Sequence, residues 1–126
     1  MPRNVDRSAN KKYALLVFVY GAPEYQNVDQ LWTTDFVKAY LPSSYNVITA
    51  LIDGRGSAFQ GDKFMHTLYR RLGQLEPVDQ VEVAQHILNT NSFIDPSRTA
   101  IYGWSYGGYA TSHTIGYGMK TEFCKI

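Results

Sequence analysis

The sequence predicts an α/β fold in which a mostly parallel sheet is flanked by helices. Short apolar segments rich in Val and aromatic residues alternate with longer segments whose apolar residues recur every three to four positions. Segments rich in Gly, Pro, Asp and Ser separate them. Alternation of this kind is typical of a parallel sheet with helices on its faces. A chain of 126 residues is long enough for one small domain with a core.

Three strands are predicted from the apolar runs. They span residues 13–20, 46–52 and 98–102, and the first two read as strands buried on both faces. We expect the segment around Asp95-Pro96 to break the chain before the third strand begins. Residues 1–12 are polar and are predicted to form a solvated arm.

Four helices are predicted from the helical spacing of apolar residues. They span residues 29–40, residues 61–72, a segment that starts near Pro77, and residues 106 to about 117. Pro42 is expected to close the first of them. Pro77 is expected in a first helical turn, where its missing N–H costs least.

Composition excludes several function classes. The formal net charge is +1, so there is no basic surface typical of a nucleic-acid partner. No apolar run approaches the roughly 20 residues of a membrane-spanning helix, and no secretory signal is visible at the start. The three histidines are too scattered for a metal site, so no metal or cofactor is expected. The only cysteine, Cys124, is compatible with a free thiol or with a partner elsewhere.

The segment Gly-Trp-Ser-Tyr-Gly-Gly-Tyr at residues 103–109 is the strongest functional signal. Gly-x-Ser-x-Gly between a strand and a helix is the pattern of a nucleophile elbow, a tight turn that exposes a reactive serine. Ser105 is therefore the candidate nucleophile, and the Tyr106 N–H is the candidate donor to a tetrahedral oxyanion. The phenol of Tyr20, at the end of the first strand, is either a second oxyanion donor or a packed strand-end residue.

A complete catalytic triad cannot be assembled from these residues. In hydrolases with this elbow the acid and then the histidine follow the serine, but Glu122 and His113 occur in the opposite order. His113 lies eight residues after Ser105, about 12 Å along a continuous helix. His66 and His86 fall within predicted helices.

The loop at residues 53–57 lacks the order of a phosphate-binding loop and is predicted to be a turn.

Four stretches together resemble the dipeptidyl peptidase IV and fibroblast activation protein group of the prolyl oligopeptidase family of serine peptidases. They lie at residues 13–23, 53–63, 69–73 and 103–109, and the resemblance runs from about residue 13 to the end. The combination of Asp-Gly-Arg-Gly-Ser and Gln-Gly-Asp-Lys with the serine motif argues against another α/β-hydrolase, such as an esterase. The resemblance implies that residues 13–126 are the N-terminal part of an α/β-hydrolase peptidase domain.

The resemblance also implies residue roles. Ser105 would form an acyl-enzyme, and the Tyr106 N–H and Tyr20 hydroxyl would form the oxyanion hole. The Tyr106 side chain would border the pocket for the proline or alanine that precedes the scissile bond of a peptide substrate. Cys124 matches a cysteine that in the family pairs with another near the end of the domain.

The resemblance further implies a parent that is cell-surface or secreted, and it leaves a homodimer open. The family's catalytic Asp and His would follow residue 126, so this chain alone is expected to be inactive. The alternative is a non-catalytic pseudoenzyme or binding fragment of the same fold.

Overall fold

A three-stranded parallel sheet forms the centre of the fold. The computed structural model describes residues 1–8 and 10–120. Strands β1 (Tyr13–Phe18), β2 (Ile48–Leu51) and β3 (Ile94–Tyr102) are arranged in the order β2-β1-β3, and both pairs are parallel. The predicted α/β class with a parallel sheet is therefore confirmed.

The hydrophobic core lies on one face of β1. Along β1, fully buried residues alternate with partly buried ones, so the described residues cover one face fully and the other in part. The buried face packs against α3 (Glu76–Thr90). The core residues are Tyr13, Leu15, Val17, Ile48, Ile52, Ala84, Phe93 and Ile94. The expectation that the first strand is buried on both faces is thus met fully on the α3 side and in part on the other.

β3 is longer than predicted, because Asp95-Pro96 does not break the chain. Ile94 pairs with Tyr13, and regular pairing resumes only where Thr99 meets Leu15, so the intervening residues of β3 form an irregularity in the ladder. Proline lacks an N–H and is tolerated in a sheet at such an irregularity. The Asp95 carboxylate also accepts hydrogen bonds from the Ser97 N–H at 3.0 Å and the Arg98 guanidinium at 2.8 Å.

The helix predicted at residues 29–40 is wrong over most of its length. Only a π-helical turn at Phe36–Tyr40 forms, and it is followed by the short helix α1 (Leu41–Tyr45). Pro42 lies in the first turn of α1 instead of closing the preceding element, since a proline there loses no helical hydrogen bond. Leu31 and Trp32 are 75% and 91% exposed, so the apolar residues that suggested a helix are not buried by the described chain.

The remaining helices follow the prediction more closely. The segment predicted at residues 61–72 forms α2 (Asp62–Met65) and a 3₁₀ turn at His66–Leu68, so it is not helical to its end. α3 has Pro77 in its first turn as expected, and α4 (Tyr106–Lys120) follows the serine motif. None of the helices among the described residues is long and apolar enough to cross a membrane. Cys124 and Glu122 lie outside the described residues.

The burial of Leu15 in the central strand generates a stability prediction. Leu15 is 1% exposed, whereas Leu31 is 75% exposed. We expect Leu15→Ala to lower the free energy of unfolding by about 2–5 kcal/mol, because the removed atoms leave a cavity between β1 and α3. The matched variant Leu31→Ala should change it by less than about 0.5 kcal/mol. Urea denaturation of the chain measures both, and equal losses would contradict the placement of the core.

Candidate nucleophile elbow

Ser105 occupies the turn between β3 and α4 in a left-handed backbone conformation. Its φ is +55°, a region that residues other than glycine adopt rarely and at a cost of about 1–3 kcal/mol. The Ser105 carbonyl accepts the N–H groups of Gly108 at 2.9 Å and Tyr109 at 3.2 Å, which starts α4. The side chain of Ser105 is exposed. Strand, strained serine and helix therefore follow in the order that the sequence predicted.

The two glycines of Gly-x-Ser-x-Gly are required by close approach of the backbone. A Cβ on Gly103 would come within 2.6 Å of the Val19 carbonyl oxygen. A Cβ on Gly107 would collide with the same oxygen and would lie 3.1 Å from the Tyr20 Cα. These neighbours are backbone atoms at the end of the central strand, and the Val19 N–H is itself bonded to the Tyr102 carbonyl at 2.9 Å. The elbow is thus seated directly on the carboxyl end of β1.

Tyr20 lies beside the elbow. Its ring centroid is 6.3 Å from that of Trp104, the residue before Ser105, and 4.3 Å from that of Tyr25. The side chain is partly buried, and its hydroxyl has no hydrogen-bond partner within the part of the chain that the structure describes. The structure therefore brings the ring of Tyr20 next to the serine turn and leaves its hydroxyl available.

Tyr106 begins α4, and its side chain is tied to the start of α3. The Tyr106 hydroxyl donates a hydrogen bond of 2.7 Å to the Glu76 carboxylate. Burial, and then this hydrogen bond, raise the pKa of the Tyr106 phenol well above its ordinary value. Sequence reasoning missed Glu76. The available signal was an acidic residue beside Pro77 in a first helical turn, where negative charge is favourable.

The loop after β2 is a turn fixed by its own polar contacts, as predicted. Ser57 Oγ donates to the Gly54 carbonyl at 2.8 Å, and the Arg55 guanidinium forms an ion pair with Asp79 on α3. The Asp79 hydrogen bonds raise the pKa of Arg55 further above its usual range. Asp53 accepts the Asn27 and Val28 N–H groups at 2.9 Å and 2.7 Å. The charged groups of this loop are therefore engaged in holding neighbouring segments.

None of the three histidines forms a hydrogen bond with the Ser105 hydroxyl. His66 lies in the 3₁₀ turn, His86 on α3 and His113 on α4, and all three are exposed. The His113 ring packs 4.3 Å from that of Tyr109. Over residues 1–8 and 10–120, the Ser105 hydroxyl has no hydrogen-bond partner, and no group of three His, Cys, Asp or Glu could hold a metal ion. The described residues thus present a candidate nucleophile whose hydroxyl makes no hydrogen bond to a base.

Two adjacent glycines of the elbow, Gly107 and Gly108, are expected to change the stability of the chain in opposite directions when each is replaced by alanine. We expect Gly107→Ala to destabilise the chain by about 1–3 kcal/mol, since the new methyl meets backbone that cannot move aside. Gly108→Ala should stabilise by up to about 1 kcal/mol, because alanine favours a helix and the nearest atom lies 3.6 Å away. Chemical denaturation of both variants measures the difference. Similar effects at the two positions would contradict the contact between the elbow and β1.

Comparison with known proteins places the chain in a family. A model of the prolyl oligopeptidase family matches residues 32–123. Over all 126 residues the chain is 44% identical to mouse prolyl endopeptidase FAP and 45% identical to pig dipeptidyl peptidase 4, and covers 16% of each. In the crystal structure of dipeptidyl peptidase 4 from Porphyromonas gingivalis, 90% of this chain matches 16% of that one with a TM-score of 0.82 and 32% identity. The chain thus spans about one-sixth of the length of these relatives. Its fold is of the α/β-hydrolase class, and the chain belongs to the prolyl oligopeptidase family.

Proposed function

We propose that this chain contributes the nucleophile segment of a serine peptidase that cleaves peptide bonds after proline or alanine. The observation that supports this most is the strained Ser105, with φ +55°, presented at the junction of β3 and α4. A serine held in this way is exposed to a substrate while the helix behind it favours developing negative charge. The similarity to a prolyl endopeptidase and to a dipeptidyl peptidase agrees with a peptide substrate.

In the proposed reaction, the Ser105 hydroxyl attacks the scissile carbonyl carbon and transfers its proton to a base. The carbonyl oxygen becomes an oxyanion that accepts hydrogen bonds from the Tyr106 N–H and the Tyr20 hydroxyl. Collapse of this intermediate breaks the peptide bond, returns the proton to the leaving amine and leaves an acyl group on Ser105. Water then attacks the acyl group through the same steps, which releases the acid product and restores the Ser105 hydroxyl.

Two observations support Tyr20 as the second donor. Its hydroxyl is free of other partners in the described chain, and its ring centroid lies 6.3 Å from that of Trp104, the residue before Ser105. A phenol without a competing acceptor is available to the oxyanion. These contacts favour a catalytic role over simple packing at the strand end.

Substrate preference is proposed from the ring of Tyr106. Because its hydroxyl is engaged by Glu76, the part left to contact a substrate is the apolar ring. The Tyr109 ring lies 5.3 Å away and extends this aromatic surface. An aromatic surface suits the apolar ring of proline or the methyl group of alanine.

The domain assignment is also part of the proposal. Residues 13–126 would form the nucleophile-bearing part of the peptidase domain, preceded by a polar arm at residues 1–12. The catalytic acid and base would come from elsewhere in the peptidase, because no histidine of the described chain forms a hydrogen bond with Ser105.

The chain by itself is predicted not to turn over substrate. A serine hydroxyl without an adjacent base is a weak nucleophile. Purified chain incubated with a Gly-Pro or Ala-Pro amide reporter should release product no faster than buffer. Turnover that is abolished by Ser105→Ala but not by Ser112→Ala would contradict this, and would show that a base is present within these residues.

The role of Ser105 is tested in a protein that supplies the missing base. In a chimera, this chain replaces the homologous segment of the pig relative. We expect the chimera to hydrolyse the reporter, and Ser105→Ala to lower kcat at least about a thousandfold. Tyr20→Phe should lower kcat about a hundredfold with little change in KM, since an oxyanion donor acts mainly in the transition state.

Ser112→Ala is the matched control for the chimera. Ser112 is an exposed serine on α4 that donates to the Gly108 carbonyl at 3.0 Å, and it should keep parental activity. An active chimera whose turnover survives Ser105→Ala would refute the proposed function.

A further inference from the structure

Glu76 is a buried carboxylate that makes no ion pair with any described residue. It is 3% exposed, and the ion pairs of the described chain join Arg55 to Asp79 and Arg98 to Asp95. A buried charge is costly unless hydrogen bonds compensate it. Glu76 accepts the Gly73 N–H at 3.0 Å, the Leu75 N–H at 3.2 Å and the Tyr106 hydroxyl at 2.7 Å. Its place in the first turn of α3 adds favourable potential.

These hydrogen bonds connect the loop before α3 to the first residue of α4. Two of the donors are N–H groups of the loop backbone. The third is the hydroxyl of Tyr106, the residue directly after Ser105. The carboxylate therefore fixes the far end of the Tyr106 side chain relative to α3. The near end is fixed by the elbow, because Gly107 packs on the carboxyl end of β1.

Restraint at both ends leaves the Tyr106 side chain little freedom. Only two torsions separate the phenol ring from the backbone. A shift of the hydroxyl would therefore be passed to the Cα of Tyr106 and to its N–H. A second contact also restrains this part of α4. The Tyr109 hydroxyl occupies the space where a side chain on Gly73 would lie. The loop thus abuts the first turn of α4 at two aromatic residues.

We propose that Glu76 is a positioning residue for catalysis, which holds the Tyr106 hydroxyl and thereby the direction of the Tyr106 N–H toward the oxyanion. This inference rests on the proposed function of Ser105. Glu76 itself does not touch the substrate. Its effect is expected on kcat more than on KM, because the N–H it orients bonds most strongly in the transition state.

The protonation of Tyr106 fits this role and gives a spectroscopic readout. Burial and the Glu76 hydrogen bond raise the pKa of Tyr106, so its phenol stays a neutral donor as pH rises past its ordinary value of about 10. The stability that this hydrogen bond gives the folded chain is therefore fully present below pH 10. It is lost as the pH rises through the raised pKa of Tyr106 in the folded chain. Removal of Glu76 should bring Tyr106 ionisation back toward pH 10. The difference in absorbance at 295 nm between Glu76→Ala and Glu76→Ala/Tyr106→Phe isolates this phenol during alkaline titration.

The kinetic test uses the chimera with active sites counted by a fluorophosphonate. Per titrated site, we expect Tyr106→Phe and Glu76→Ala each to lower kcat about tenfold, with KM changed less than about threefold. The double variant should lose no more than either single variant, because both remove the same contact. Glu76→Gln keeps an oxygen acceptor and should retain kcat within about threefold of the parent. The control Glu82→Gln changes an exposed acid on the same helix and should have no effect.

Two results would overturn the proposal. One is an unchanged kcat per titrated site in Tyr106→Phe, which retains the ring and tests the contact even if Glu76→Ala fails to fold. The other is an additive double variant, which would show that the two residues act separately. Both leave the parent chimera active and dependent on Ser105, so they are distinguishable from failure of the proposed function.

Discussion

The close approach of two glycines to the carbonyl of Val19 is the contact on which the site depends. Gly103 and Gly107 flank Ser105, and each lies where a single added methyl would strike the end of the central strand. Since β1 is the central strand, its carboxyl end is held between both neighbouring strands, and the Val19 N–H is bonded to the Tyr102 carbonyl at 2.9 Å. Seating the elbow there links β1, β3 and α4 at one place. The left-handed conformation of Ser105 is sustained by that packing.

Around this contact, acidic side chains hold the loops. Asp53 accepts backbone N–H groups of the segment at residues 27–28, which follows Tyr25. Asp79 engages Arg55 in the turn after β2. Glu76 binds the loop before α3 and the phenol of Tyr106. Each carboxylate joins segments distant in sequence near the same edge of the sheet, so the surroundings of Ser105 are built from hydrogen bonds as well as from the core below.

The parts predictable from sequence are those with a local cause. The strand, turn and helix around Ser105 follow from an apolar run, two small residues and a helical pattern, all within about 20 positions. The helix expected at residues 29–40 failed because its apolar spacing is not matched by burial. The bond between Glu76 and Tyr106 joins residues 30 apart and leaves no local pattern. The irregularity at Pro96 depends on pairing with β1, which composition does not reveal.

The central claim is that Ser105 is the nucleophile and that Tyr106 and Tyr20 receive the oxyanion. A crystal structure of the chimera after reaction with a fluorophosphonate tests it most directly. The account predicts phosphorus bonded to Ser105 Oγ, with one phosphoryl oxygen within about 3 Å of both the Tyr106 N and the Tyr20 hydroxyl oxygen. Phosphorus on another residue, or a phosphoryl oxygen directed away from both tyrosines, would contradict it.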